Sequence, residues 1–207
     1  MSVALIDHMG SDLTVVNAAR VSFSKVHICF EENDEKLIKY LAEHQHWSPF
    51  AHTSLQFHIR APIFVARQLA KHQVGLVWNE VSRRYVSEDP DIWDPDSWRE
   101  AAEDKKQGSK MTEVKSNRVV SHMYRDATRH ALDAYKRMIE LGVCPEQARA
   151  VLPLSAYTEW YWTGSLYAFS RVCKLRLAED AQFETRVIAK KIADRCNEEF
   201  PISWRYL

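Results

Sequence analysis

Residues 62–85 read PIFVARQLAKHQVGLVWNEVSRRY, and the change of pattern around them decides the fold class. Just upstream, residues 53–59 alternate, with Leu55, Phe57 and Ile59 on one side and Ser54, Gln56 and His58 on the other. That period of two marks a half-buried strand. Pro62 then suits a first helical position, because its φ is preset and the donor it lacks has no helical partner there. Ile63, Phe64, Ala66, Leu69 and Ala70 supply an apolar stripe, so a helix is predicted to about His72, close to Gly75.

The same stretch carries the densest chemistry. Arg67 and Lys71 share one helical face, Gln68 and His72 the next. After the turn at Gly75 come Asn79, Glu80, Ser82, Arg83 and Arg84, so two polar clusters can face one another across a bend. A basic, amide-rich groove with one carboxylate suits a ligand that carries both a phosphate and a ring edge. The plainer reading is a solvated helix face and a polar loop. Trp78 and Tyr85 bracket the cluster, however, and the helix that enters it is too apolar to lie free at the surface.

Outward from this stretch, residues 13–21 (LTVVNAARV) fit a strand or a helix equally. Asn33 is a reasonable N-cap for a helix through Leu37, Ile38, Leu41 and Ala42, which ends at His44-Gln45-His46. Residues 87–108 are a charged, proline-containing surface excursion or short helix. Helices are predicted over 112–141, stopped by Gly142, from Pro145 to Leu152, and over 157–175 and 178–200. The expected fold class is therefore α+β, a helix-rich single domain over 1–207 with a small sheet.

Composition narrows the chemistry. Only five of 207 residues are glycine, about a third of the usual ~7%. No G-x-G-x-x-G or G-x-x-x-x-G-K occurs, so a bound nucleotide has to be held by side chains. Twenty-eight basic and twenty-eight acidic residues cancel, which argues against a nucleic-acid partner. Cys29, Cys144, Cys173 and Cys196 form no C-x-x-C pair and are expected to be reduced, buried thiols. His44, His46 and His52 lack zinc-type spacing, so no metal is expected. With no export signal and no apolar run of about eighteen residues, the expected location is cytoplasmic, away from membranes. A second constellation, Arg149 on a short helix and Arg176 after an aromatic stretch, offers planar forks for a carboxylate, a phosphate or a pyrimidine edge.

The ordered motifs at 62–68, His72, Asn79-Glu80, Ser82 and Arg84-Tyr85 resemble the signature region of the flavin-dependent thymidylate synthases. The resemblance extends to NAARVSFSK (17–25), HWSPFAH (46–52), ARAVLPL (148–154) and Leu175-Arg176 before Ala181-Gln182, and leaves out 87–108. It implies that family's fold with a mainly antiparallel sheet, and a homotetramer whose active sites lie where subunits meet. It also implies a methyltransferase that converts dUMP to dTMP with methylenetetrahydrofolate, FAD and NADPH. A pyrimidine nucleotide hydroxymethylase and a catalytically inactive nucleotide-binding relative are the alternatives.

By the same resemblance, Gln68, Glu80, Ser82, Arg83, Arg84, Arg149 and Arg176 bind dUMP, with Arg176 also catalytic through the ionisation it favours at the pyrimidine N3. Ser22, His46, Ser48, Lys71, His72, Gln73, Glu80, Ser165, Tyr167 and Arg171 match FAD-contacting positions. The chain departs from the family pattern at Lys71-His72-Gln73, where Arg-His-Arg is usual, and has eight residues (74–81) before Ser82 where seven are usual. Ser165, Tyr167, Arg171 and Asp180 depart likewise. Arg171, one helical turn from Tyr167, is positioned to replace the charge lost there.

Overall fold

The structure is a computed structural model that describes residues 1–103 and 108–207. Its elements in chain order are β1 (Ser2–Met9), α1 (Asp12–Arg20), α2 (Glu32–Glu43), β2 (Ser54–Pro62), α3 (Ile63–Leu69), β3 (Leu76–Glu80), β4 (Arg99–Ala101) and β5 (Ser109–Glu113). There follow α4 (Asn117–Glu140), α5 (Pro145–Ala148), β6 (Tyr157–Gly164), α6 (Leu166–Arg176), α7 (Phe183–Glu199) and α8 (Pro201–Tyr206). Four strands form one antiparallel sheet in the order β1-β2-β6-β3, and β4-β5 is a separate hairpin. The architecture is the expected α+β, helix-rich with a small antiparallel sheet.

The alternation read at 53–59 is the inner face of β2: Leu55, Phe57, Ile59 and Ala61 are fully buried. Opposite them on β6 stand Trp162, paired with Phe57, and Trp160, paired with Ile59. These side chains pack with Val65 and Leu69 of α3, Phe169 and Val172 of α6, and Ile188 and Ile192 of α7. Phe169 sits edge-on to both Phe57 and Trp162, at centroid distances of 4.9 and 5.4 Å. A second cluster joins Val15 and Val16 of α1 to Ile38 and Leu41 of α2 and to Phe50. Asp12 accepts the backbone N–H groups of Ile202 and Ser203, so α1 supplies the cap that α8 lacks.

Several expectations are corrected. Pro62 ends β2 and is the N-cap of α3, and the helix stops at Leu69 because His72 already turns back to the Leu69 carbonyl. The helix expected over 157–175 is a strand followed by a helix. Thr158, Trp160, Trp162 and Gly164 are buried while their alternate neighbours are not, which only a strand produces. The helix expected from 112 begins at Asn117, because 109–113 pairs with 99–101. The helix expected over 178–200 begins at Phe183, and the one expected over 145–152 is α5 followed by a 3-10 turn.

The segment 13–21 is helical. Of the excursion 87–108, residues 104–107 lie outside the described residues. The N-cap of α2 is Glu31 rather than Asn33, because the Asp34 carboxylate accepts the Glu31 N–H at 3.0 Å. Burial acts to raise the Asp34 pKa, but bonds from Arg20, His27 and Glu31 outweigh it and hold the group below 3.8.

Cys173 and Cys196 are buried as expected, and burial pushes the Cys173 thiol up to about 12. Cys29 and Cys144 are exposed, contrary to expectation: the first lies in the loop after α1 and the second caps a short surface helix.

Candidate active site

Three groups of residues emerge, each positioned by a different part of the fold. The first lines a cleft of about 740 Å³ between α3, the end of α6 and the start of α7, with Gln68, Arg99, Lys174, Arg176, Gln182 and Glu184 on its walls. Thr185 Oγ1 donates to Gln68 Oε1 at 3.2 Å, and Gln68 Nε2 donates to Gln182 Oε1. Gln182 Nε2 donates to Glu184 Oε2 at 3.0 Å, and Arg99 Nη2 meets Glu184 Oε1 at 2.5 Å.

Arg176 enters this cleft from the last turn of α6, and its Nε donates to His72 Nε2 at 2.9 Å. Because His72 accepts there, its ring is neutral with the proton on Nδ1. Burial, then the nearby Arg176 and Arg171 cations, lower the His72 pKa and keep it neutral. Among the described residues neither Nη of Arg176 has a partner, so two donors of a planar fork are left for a ligand.

The second group lines a cavity of about 530 Å³ at the junction of β6 and α6, formed by Trp47, Val74, Gly75, Ser165, Tyr167 and Arg171. Ser165 caps α6 by accepting the Ala168 N–H, which turns Tyr167 and Arg171 onto this wall. The Trp47 and Tyr167 rings lie 6.0 Å apart. His46 borders an adjoining cleft of about 210 Å³ that shares Trp47 and Tyr167. Lys71, Gln73 and Ser48 are exposed nearby in sequence, and Ser22 is exposed in the turn after α1. Flat aromatic walls beside one guanidinium and the Ser165 and Tyr167 hydroxyls fit a ligand with a planar ring system and an anionic group, as a flavin dinucleotide has.

The third group lies at the opposite end of β3. Leu76 pairs with Gly164, beside Ser165, whereas Glu80 pairs with Trp160. At about 3.3 Å per residue, those four steps carry the chain roughly 13 Å away from the second cavity. Glu80 is held there by Thr158 Oγ1 at 2.7 Å and Trp78 Nε1 at 3.1 Å. Arg84 donates from Nε to Ser82 Oγ and lies over the Tyr85 ring, while Arg83 bonds the Glu88 carbonyl. Arg149 is exposed, its Nε given to the Glu146 carbonyl. Neither the 740 Å³ cleft nor the 530 Å³ cavity includes Glu80, Ser82, Arg83, Arg84 or Arg149.

Sequence reasoning missed Arg99, Glu184 and Trp47. The polar pair Gln182 and Glu184 at the head of an apolar helix was the available signal, and nothing local tied Arg99 to it.

A model of the family described as thymidylate synthase complementing protein matches residues 4–202. The chain belongs to this family. Among the family's members, a flavin-dependent thymidylate synthase of Thermus thermophilus is 40% identical over 202 residues, which cover 98% of this chain and 73% of the relative. A flavin-dependent thymidylate synthase of Thermosipho melanesiensis is 38% identical over 198 residues, covering 95% and 86%. The solved structure of a UMP/dUMP methylase, PolB of Streptomyces cacaoi, bound with 5-Br dUMP, superposes with a TM-score of 0.90 at 29% identity, over 99% of this chain and 93% of that one. The same methylase bound with 5-Br UMP superposes with a TM-score of 0.87. Among the described residues no group of His, Cys, Asp and Glu is placed to hold a metal, and no helix is long and apolar enough to cross a membrane.

Proposed function

We propose that this chain is a flavin-dependent thymidylate synthase, a methyltransferase that converts dUMP to dTMP with methylenetetrahydrofolate as one-carbon donor and FAD, reduced by NADPH, as reductant. The observation that carries the reading is the Arg176 fork, fixed through Nε by a neutral His72 and presented beside Gln68 in the 740 Å³ cleft. A planar pair of N–H donors matches the O4 and N3 edge of a pyrimidine, and the cation favours the N3 anion. Negative charge at N3 is delocalised into the ring and makes C5 a better nucleophile toward a one-carbon unit. Trp47, Ser165, Tyr167 and Arg171 would hold the flavin, with Ser22, His46, Ser48, Lys71, His72 and Gln73 around them. FAD, when bound, supplies the hydride chemistry, and the protein supplies orientation and charge.

The separation of Glu80, Ser82, Arg83, Arg84 and Arg149 from Arg176 within one chain supports a homotetramer. In that assembly the phosphate and sugar of dUMP lie on the third group of one subunit while the pyrimidine reaches the Arg176 cleft of another.

The test is to purify the protein, record its visible spectrum with added FAD, and incubate it with methylenetetrahydrofolate, NADPH and dUMP or UMP. Yellow protein and dTMP identified by mass support the reading. A hydroxymethyl product supports the hydroxymethylase instead, and colourless protein that leaves dUMP unchanged supports an inactive relative. UMP belongs in the assay because the solved relative is described as a UMP/dUMP methylase and superposes in both complexes.

A further inference from the structure

We propose that Arg99 and Glu184 are positioning residues for the nucleotide site: together they set the direction in which the amides of Gln182 and Gln68 face the cleft at Arg176. The inference rests on the dUMP reading of that cleft and adds to it a hairpin that the family motifs leave out. Hydrogen-bond polarity sets these directions. An ionised carboxylate only accepts, so Gln182 has to turn its NH₂ toward Glu184. Its carbonyl is then the acceptor for Gln68 Nε2, and the Gln68 carbonyl takes the Thr185 hydroxyl. Without the carboxylate, either amide is free to turn over, because its two ends are alike in size.

With the direction set, Gln68 gives one of its two Nε2 hydrogens to Gln182 and keeps the other for an oxygen of the ligand. Arg99 has the second task of neutralising Glu184, since an unpaired carboxylate on this wall repels a phosphorylated ligand. It is well placed for that task. Glu184 is only 4% exposed, and the Arg99 guanidinium is held by Glu184 at 2.5 Å, by Ser109 Oγ at 2.8 Å and by the face of Phe183 at 4.7 Å. Ser109 and Arg99 stand on β5 and β4, so the hairpin is tied to α7 through this side chain.

The experiment uses the FAD-loaded enzyme and reads the dUMP KM, kcat, the dUMP dissociation constant and the FAD content of four variants. Glu184→Gln, which lets residue 184 donate, and Arg99→Gln are each expected to raise the dUMP KM and dissociation constant roughly tenfold, the scale of one charge-assisted hydrogen bond. Their kcat is expected to stay within about twofold and their FAD content to be unchanged. The double variant is expected to be no worse than the poorer single, because both act through one chain of bonds. Arg99→Lys, which keeps the charge but loses the Ser109 bond and the stacking on Phe183, is expected to fall between Arg99→Gln and wild type.

Should Glu184→Gln fail to fold, Arg99→Gln decides, since its hairpin lies outside both apolar clusters. Arg99→Gln with a dUMP KM within twofold of wild type overturns the inference, as does a loss shared equally by KM, kcat and FAD content. Wild-type enzyme that turns over dUMP while the variants match it overturns only this inference. Wild-type enzyme that binds no dUMP at all overturns the reading on which it rests.

Discussion

Because His72 Nε2 accepts from Arg176 at 2.9 Å, the two residues work only while the histidine is neutral. The His72 pKa is lowered from 6.5, so its contribution to stability is fully present above pH 6.5 and is lost as the pH falls through the depressed folded value. Below that point both partners are cations and Arg176 is released. Affinity for dUMP is expected to hold through pH 6.5 and to weaken only as the pH falls through the depressed value beneath it. His72→Asn keeps an acceptor but does not titrate, so its acid limb should flatten. An unchanged acid limb, measured by dUMP binding across the pH range, removes His72 from that role.

For Arg176→Ala the expected loss in kcat/KM is at least about 100-fold with the thermal midpoint preserved, the scale seen when a preorganised donor to developing charge is removed. Near-normal product formation in a folded Arg176→Ala enzyme refutes the role given to the fork. At this scale Gln68, His72 and Arg176 were each readable from the sequence as candidates. The bond between His72 and Arg176 was not, because 104 positions separate them and no local pattern encodes the pairing.

Among elements, β2 was legible and β6 was not, for a specific reason. In β2 hydrophobicity and burial alternate together. In β6 the run Trp160-Tyr161-Trp162 is aromatic on both faces, so ring character does not alternate there while burial has period two. Tyr157 is partly covered by the Arg60 guanidinium at 4.1 Å, and Tyr161 lies against His58, which explains how the outer face carries rings.

The end of β6 also sets the approach of β3. A Cβ at Gly164 meets Leu76 Cδ2 at 2.4 Å and the Gly75 carbonyl at 2.6 Å, and the second contact is backbone that has little room to give. Gly164→Ala is expected to cost about 2 kcal/mol, as overpacking does, and to loosen β3 where it borders the flavin cavity. Denaturant unfolding measures this cost. An unchanged midpoint shows that β3 is less tightly held than the register implies.

At the scale of the whole molecule, the third group of site residues does not join the Arg176 cleft or the flavin cavity within one chain. In the proposed tetramer each active site takes Arg176 from one subunit and Arg84 from another. Arg84→Ala and Arg176→Ala enzymes, each inactive alone, are therefore expected to regain activity when dissociated together and reassembled, since some sites then carry no substitution. Measuring dTMP formation before and after mixing checks this, with light scattering to establish the subunit number. Absence of recovery in mixed assemblies assigns both residues to one subunit's site.

The scarcity of glycine, the period-two strand and the side-chain inventory around 62–85 were properties of the sequence by itself. They determined a helix-rich α+β chain in which the proposed nucleotide is held through arginine and amide groups in place of a backbone nest, because composition and periodicity are local quantities. The tertiary structure alone decided that 157–164 is a strand, that Arg99 reaches Glu184 across 85 positions, and that Arg176 shares its cleft with Gln68 while Ser82 and Arg84 lie elsewhere. Those outcomes follow from which distant surfaces exclude water together and which buried polar atoms find partners, and neither is written in any single window of the chain.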